Sequence, residues 1–168
     1  MAKAAPIPGL QADTRFGDAA AAAVEIRAGE VFAHSGGVLD VEDIERVHDM
    51  RVATRRLRAA LEVFATCYPK REHRRVLKEV KALADALGER RDPDVAIEEL
   101  TKVARKLTSA DAAGVASLVA EHKAEQAKGN EVLSAALERA REAQLDARLA
   151  DLASSARATA PEIAEPTA

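Results

Sequence analysis

The sequence predicts an all-α fold, an antiparallel bundle of about five to six helices, on three observations. Aromatic residues are only 2% of a 168-residue chain that is 48% apolar, so the core must come from alanine, leucine and valine, which suit packed helices better than a β-sandwich. The strong helix formers Ala, Leu, Glu, Lys and Arg dominate, and the six prolines fall near the termini or at apparent helix boundaries. Apolar residues also recur every three to four positions through most of the chain, the spacing that puts them on one helical face. Well over half of the residues are expected to be helical.

Taken in order, residues 1–12, with Pro6, Pro8 and Gly9, read as a disordered or extended arm. Residues 13–158 read as one helical domain, and 159–168, with Pro161 and Pro166, as a disordered tail. A first helix spans about Thr14 to His34 and stops at Ser35, Gly36 and Gly37. His34, in its last turn, is read as a partner of the helix dipole rather than as a ligand. A second helix starts near Asp40 as N-cap and runs to about Cys67, before Tyr68 and Pro69. A third covers about Lys70 to Leu87, with Gly88 as its terminator and Val76, Val80, Leu83 and Leu87 as its buried face. Asp92 and Pro93 then look like the cap and first residue of a fourth helix reaching about Leu107. Thr108 or Ser109 caps a fifth from about Asp111 through Leu137, with a bend at Gly129 and Asn130. A last helical stretch to about Ala158 carries Leu145, Leu149 and Leu152.

Composition narrows the function. Cys67 is the lone cysteine, so a disulfide framework within the chain and a thiolate metal cage are both excluded, and a small buried apolar role fits it better than a nucleophilic one. No signal-peptide pattern follows Lys3, and the apolar run Ala19 to Val24 is far short of the ~20 residues of a membrane span. The cytoplasm is the expected location. The net charge of −3 conceals a strong asymmetry: from Arg46 to Arg91 bases outnumber acids 13 to 6, against 12 to 22 elsewhere. A basic third on an acidic protein concentrates an anionic polymer at one place.

That basic third has a pattern. On the second helix Met50, Ala53, Leu57, Ala60, Leu61 and Phe64 form an apolar seam, while His48, Arg51, Arg55 and Arg58 line the roughly opposite face. At ~1.5 Å per residue this row is about 15 Å long. Ordinary exposed faces alternate acids with bases four residues apart, yet only Arg58 has such a partner, Glu62. The guanidinium groups therefore repel one another until something anionic lies beside them. Arginine offers a planar fork that donates two parallel hydrogen bonds to a phosphate, and a nearby anion favours the charged form of His48. On the third helix Arg71, Arg74, Lys78 and Lys81 make a similar outward face.

Other chemistries lack residues to carry them. The four histidines, His34, His48, His73 and His122, lie on separate helices with no metal-ligand spacing, and phosphate-loop, nucleophile-elbow and dinucleotide fingerprints are missing. Nucleic acid is the nearest rival polyanion, but Phe16, Phe32, Phe64 and Tyr68 are the only aromatics, too few for base-stacking platforms.

The segment His48-Asp-Met-Arg51-Val-Ala-Thr-Arg55-Arg56-Leu57-Arg58 resembles the signature of CHAD domains, the conserved-histidine α-helical family. A second family motif, Leu-Gly-x-x-Arg-Asp-x-Asp-Val, is matched by Leu87-Gly88, Arg91-Asp92-Pro93-Asp94-Val95. The resemblance implies a bundle with a basic groove or channel that binds inorganic polyphosphate, on polyphosphate granules. It puts phosphate contact on His48, Arg51, Arg55, Arg58, Lys81 and Arg91, to which helical arithmetic adds Arg74 and Lys78. Arg91 would point into the anion site, with Asp92 and Asp94 holding neighbouring arginines in position.

No catalytic residue, metal or cofactor is implied, since the Glu-x-Glu-x-Lys motif of the triphosphate-hydrolysing CYTH domain, sometimes fused to this family, is absent. Typical members are about twice as long and repeat the histidine-arginine helix, whereas no second copy follows Arg58. A homodimer that rebuilds the paired channel is therefore expected. Where members of the family often break a helix after an Ala-Leu pair, this chain has Ala136-Leu137-Glu138-Arg139-Ala140, which can stay helical. The alternative functions are an interaction-mediating helical bundle without a polyanion ligand and, further off, a metal-dependent phosphohydrolase.

Overall fold

The structure, a computed structural model, describes residues 3–159. The expected C-terminal tail therefore lies outside the described residues, save Thr159 at the end of the last helix. Among the described residues there are five α-helices and no strand: α1 (Phe16–Ala33), α2 (Ile44–Val63), α3 (Lys70–Ala104), α4 (Ser109–Glu142) and α5 (Leu145–Thr159). A single 3-10 turn, Ala65–Cys67, joins α2 to α3. α1 packs between α2 and α5, α2 on α3, and α3 along α4. Cross-helix pairs fix the directions: Glu62 meets Lys81 while Glu45 meets Arg91, and Asn130 meets Arg90 while Gln126 meets Asp94, so both neighbours of α3 run antiparallel to it.

The core is aliphatic, as the composition demands. Val24 and Val31 of α1, Met50, Leu57 and Leu61 of α2, Val76, Val80, Leu83 and Leu87 of α3, Leu133 of α4 and Leu145, Leu149 and Leu152 of α5 are all buried. Each such side chain contributes roughly 1.5–3 kcal/mol by leaving water. Ala60 and Phe64 complete the predicted α2 seam from its margin, half-buried against the same core. Cys67 is buried, and burial pushes its thiol above the ordinary range, so it behaves as a small apolar group.

Several boundaries differ from the sequence expectation for identifiable reasons. Asp40 does not cap α2: its carboxylate accepts the backbone N–H of Glu42 at 2.9 Å in a local turn, and the helix begins at Ile44. Gly37 does serve the predicted stop after α1, with a left-handed φ of 71°. The larger correction concerns Gly88 and Pro93, expected to separate two helices, which instead lie inside one 35-residue helix, α3. The ring of Pro93 is compatible with helical φ and removes one hydrogen bond, a loss outweighed by continuous packing of this stretch on α4. α4 is likewise unbroken at Gly129 and Asn130. α4 runs on through Ala136–Ala140 and ends before Gln144, whose φ of 50° is left-handed. Thr108 caps α4 as predicted, accepting the N–H of Asp111.

Gly129 has a different job. A Cβ there would stand 2.9 Å from the carbonyl oxygen of Glu89 and 3.0 Å from Cα of Arg90. The Glu89 carbonyl is the one that Pro93 deprives of its helical donor, and α4 can approach it this closely only where a side chain is missing. Beyond this contact, α3 and α4 continue as a two-helix arm in which no described residue from Val95 to Lys128 is fully buried.

At the other end of the chain, Ala5 of the N-terminal arm is tied to α1. Its N–H donates to Glu30 at 2.6 Å and its carbonyl accepts from Arg27. Partial burial opposes the charge on Glu30, but the Ala5 N–H and the Arg27 guanidinium outweigh it and hold the carboxyl below its ordinary 4.5.

Two outcomes are expected. Gly129→Ala should destabilise the fold by about 1–3 kcal/mol, read as a lower urea midpoint, because the backbone of α3 must move. The Ala5 tether should be intact above pH 4.5 and be lost as pH falls through the depressed Glu30 value. The Ala5 amide resonance should report that transition in an NMR titration, and Glu30→Gln should abolish it.

Candidate functional site

Burial of the α2 seam dictates where its arginines go. With Met50, Ala53, Leu57 and Leu61 inside, Arg51 and Arg55 are exposed and Arg58 is half-buried, all three lining a groove of about 400 Å³ between α2 and α3. Ala84 and Gly88 keep the α3 side of that groove low, and Asp85, Glu89 and Asp92 rise beside them. His48 is half-buried on α2 and does not line the groove.

The electrostatics are more balanced than the sequence pattern implied. Among the described residues, Arg51 and Arg55 make no ion pair and no side-chain hydrogen bond, nor do Asp85, Glu89 and Asp92. Arg58 is 3.9 Å from Glu62, which lies closer to Lys81, at 3.1 Å. Three guanidinium groups thus share a groove with three carboxylates without being matched to them one by one. Counting partners along α2 alone misses those acids, because they arrive from α3. Positive charge is in excess only toward the Arg58 end, where Lys81, Lys78 and Arg74 follow along α3.

The remaining predicted contacts scatter. Arg74 is exposed on the outer side of α3, and Lys78 borders a separate recess. Arg91 does not line the groove: its side chain is only 12% exposed, donates to the carbonyl of Ile44 at 3.3 Å and lies 3.8 Å from Glu45. It ties the first turn of α2 to α3, a structural task.

The neighbouring Arg90, which the sequence reading passed over, is the buried arginine of this region. Its guanidinium bonds to Asp94 one turn on, and its Nε donates to Asn130 Oδ1 at 3.1 Å. Asp94 also accepts from Gln126 Nε2 at 2.7 Å, while Asn130 donates to the carbonyl of Leu39 at 2.9 Å. One network therefore joins α3, α4 and the loop before α2. Asp94 does hold an arginine in position, but that arginine is Arg90. The sole sequence signal for the pair was its i, i+4 spacing.

The histidines stay apart. His73 Nε2 is 2.8 Å from the carbonyl of Leu61 and its ring stacks on Tyr68, whereas His122 pairs with Glu125 at 2.7 Å. Among the described residues, no three His, Cys, Asp or Glu side chains are grouped to hold a metal ion, and no helix is long and apolar enough to cross a membrane.

These features define a helical bundle with a charged groove on one flank of α3. The CHAD domain model matches residues 22–168, and the chain belongs to that family, a polyphosphate-related group of binding or structural modules. No curated protein and no solved structure matches the chain.

Because Arg90 and Asp94 are fully buried, removing one partner leaves an uncompensated charge. Asp94→Ala should cost about 3–5 kcal/mol in urea unfolding, and the double replacement Arg90→Met with Asp94→Leu should recover most of that loss.

Proposed function

We propose that this protein binds inorganic polyphosphate along the α2 groove and acts by binding rather than by catalysis. Arg51, Arg55 and Arg58, which line the groove, would make the central phosphate contacts, with Lys81, Lys78 and Arg74 extending them beyond the Arg58 end and His48 meeting the chain outside the groove, past the Arg51 end. The observation that carries the reading is the pair Arg51 and Arg55, which line the groove with no carboxylate bound to either among the described residues. Their forks can each take two oxygens of a phosphate. Asp85, Glu89 and Asp92 weaken the local field, so a single phosphate gains little. A polymer recovers the difference by engaging several groups at once, which favours a chain over a monomeric anion. Aromatic packing argues against single-stranded nucleic acid: Phe16 sits 5.0 Å from Phe64, Tyr68 is buried and Phe32 leans on the core. A cytoplasmic place on polyphosphate granules follows from this reading and shares its fate.

The arm favours a second reading, an interaction bundle. Val95, Val103, Leu107 and Leu118 are exposed on it, and between Val95 and Lys128 five bases balance five acids. A neutral, apolar-spotted arm suits pairing with a second copy of the chain, the homodimer expected from the sequence.

A titration with long-chain polyphosphate in the analytical ultracentrifuge, at two salt concentrations and with duplex DNA as competitor, tests both readings. Affinity should fall steeply with salt, and Arg51→Ala with Arg55→Ala should cost at least about 1 kcal/mol of binding without changing the urea midpoint. Normal binding by that variant would refute the groove as the site. A protein of monomer mass at micromolar concentration, with ligand bound, would refute the dimer.

A further inference from the structure

The α2 groove occupies one flank of α3, and the opposite flank carries a recess to which no role has been given. Arg75, Lys78, Glu79 and Ala82 of α3, with Arg148 of α5, enclose about 430 Å³. Glu79 and Ala82 also border a smaller hollow of about 240 Å³ that Arg139 of α4 adjoins. In this double recess four bases face one acid, whereas the α2 groove holds three of each. The larger excess of bases over acids among these lining residues is thus on the side that the family motif does not mark.

The acid is already employed. Glu79 Oε1 accepts from Arg148 Nη1 at 2.6 Å, which fixes that guanidinium against the wall. Its other oxygen, Oε2, is buried without a partner. Arg75 reaches Glu72 only at 3.5 Å with its side chain 56% exposed, and Lys78 and Arg139 make no ion pair among the described residues. Two cations without an ion pair, Lys78 and Arg139, and the loosely paired Arg75 therefore stand beside one that is pre-oriented. On the α3 helix Lys78 stands between Arg75 and Glu79 on one side and Lys81 and Asp85 on the other, about 4.5 Å along the axis from Lys81. The two grooves meet across this single ridge.

We propose that the recess of Arg75, Lys78, Arg139 and Arg148 is a second oxyanion subsite, and that one polyphosphate chain crosses α3 at Lys78 to fill both flanks. The crossing rests on the polyphosphate reading above; the subsite itself requires only an oxyanion of repeated charge. A flexible linear polymer with one charge per unit can follow such a path, and each flank raises the effective concentration of the chain at the other.

The test uses the full chain and the variant Arg75→Ser with Arg139→Ser, which spares the Arg148–Glu79 pair and alters two exposed side chains. Long-chain polyphosphate should bind this variant roughly ten-fold more weakly, with the slope of log affinity on log salt lowered by about 2. Tripolyphosphate, short enough for one flank, should bind the unaltered chain at two sites and the variant at one, as counted by calorimetry. Lys78→Gln should weaken the long polymer more than it weakens tripolyphosphate at either flank, because only the polymer has to cross the ridge. Unchanged long-chain affinity and slope in Arg75→Ser with Arg139→Ser would overturn the inference and leave the α2 groove standing. Loss in that variant combined with normal binding by Arg51→Ala with Arg55→Ala would do the reverse: the recess alone would be the site. A native chain that binds neither ligand would overturn both.

Discussion

The buried pair of Arg90 and Asp94 holds the middle of the molecule together. It sits where α3 passes Gly129 of α4, and its hydrogen bonds to Asn130 and Gln126 reach the loop before α2 through the Leu39 carbonyl. Two charges taken out of water are costly, and their mutual attraction repays this only when other polar groups complete the geometry. The two amides do so in part, leaving one guanidinium nitrogen and one carboxylate oxygen without a partner. This clamp lies within the stretch where a glycine and a proline would otherwise end the helix. By keeping α3 continuous, it brings Asp85, Glu89 and Asp92 to the edge of the arginine groove in helical register.

The groove is consequently a site of unmatched opposites rather than a simple basic surface. Arg51, Arg55 and Arg58 are held by the α2 seam, and the acids by α3, at separations that keep most of them from forming pairs. Exposed pairs of this kind are worth at most ~1 kcal/mol even when formed, so a ligand that replaces them loses little. The acids also set a direction. Carboxylates lie beside the Arg51 end, whereas Lys81, Lys78 and Arg74 extend the positive field beyond Arg58, toward the ridge of α3. In the proposed reading, a polyanion would be drawn along that gradient and toward the second flank.

Arg90 and Arg91 illustrate how neighbours in sequence divide labour. Their directions differ by ~100° on the helix, so one points at α4 and becomes a buried structural charge while the other reaches back to Ile44 and Glu45 at the start of α2. Neither faces the groove. Both instead fix how α2 and α4 sit on α3, which places the guanidinium row and the recess beside Arg148 on opposite sides of one helix.

The sequence by itself determined the all-helical class, the aliphatic core and the outward face of α2, because 3.6-residue periodicity and helix propensity are local properties. It also narrowed the α4 cap to Thr108 or Ser109, where a hydroxyl satisfies a nearby amide whatever the rest of the chain does, and the structure selects Thr108. Only the tertiary structure decided what Gly88, Pro93 and Gly129 do, since packing between α3 and α4 overrides local breakers and turns one glycine into a point of close approach. The break at Gln144 was illegible because a residue without special turn chemistry adopts the left-handed conformation there. The balance of charge in the groove was equally hidden: Asp85, Glu89 and Asp92 meet the arginines across space, and electrostatic energy depends on that distance and not on separation along the chain.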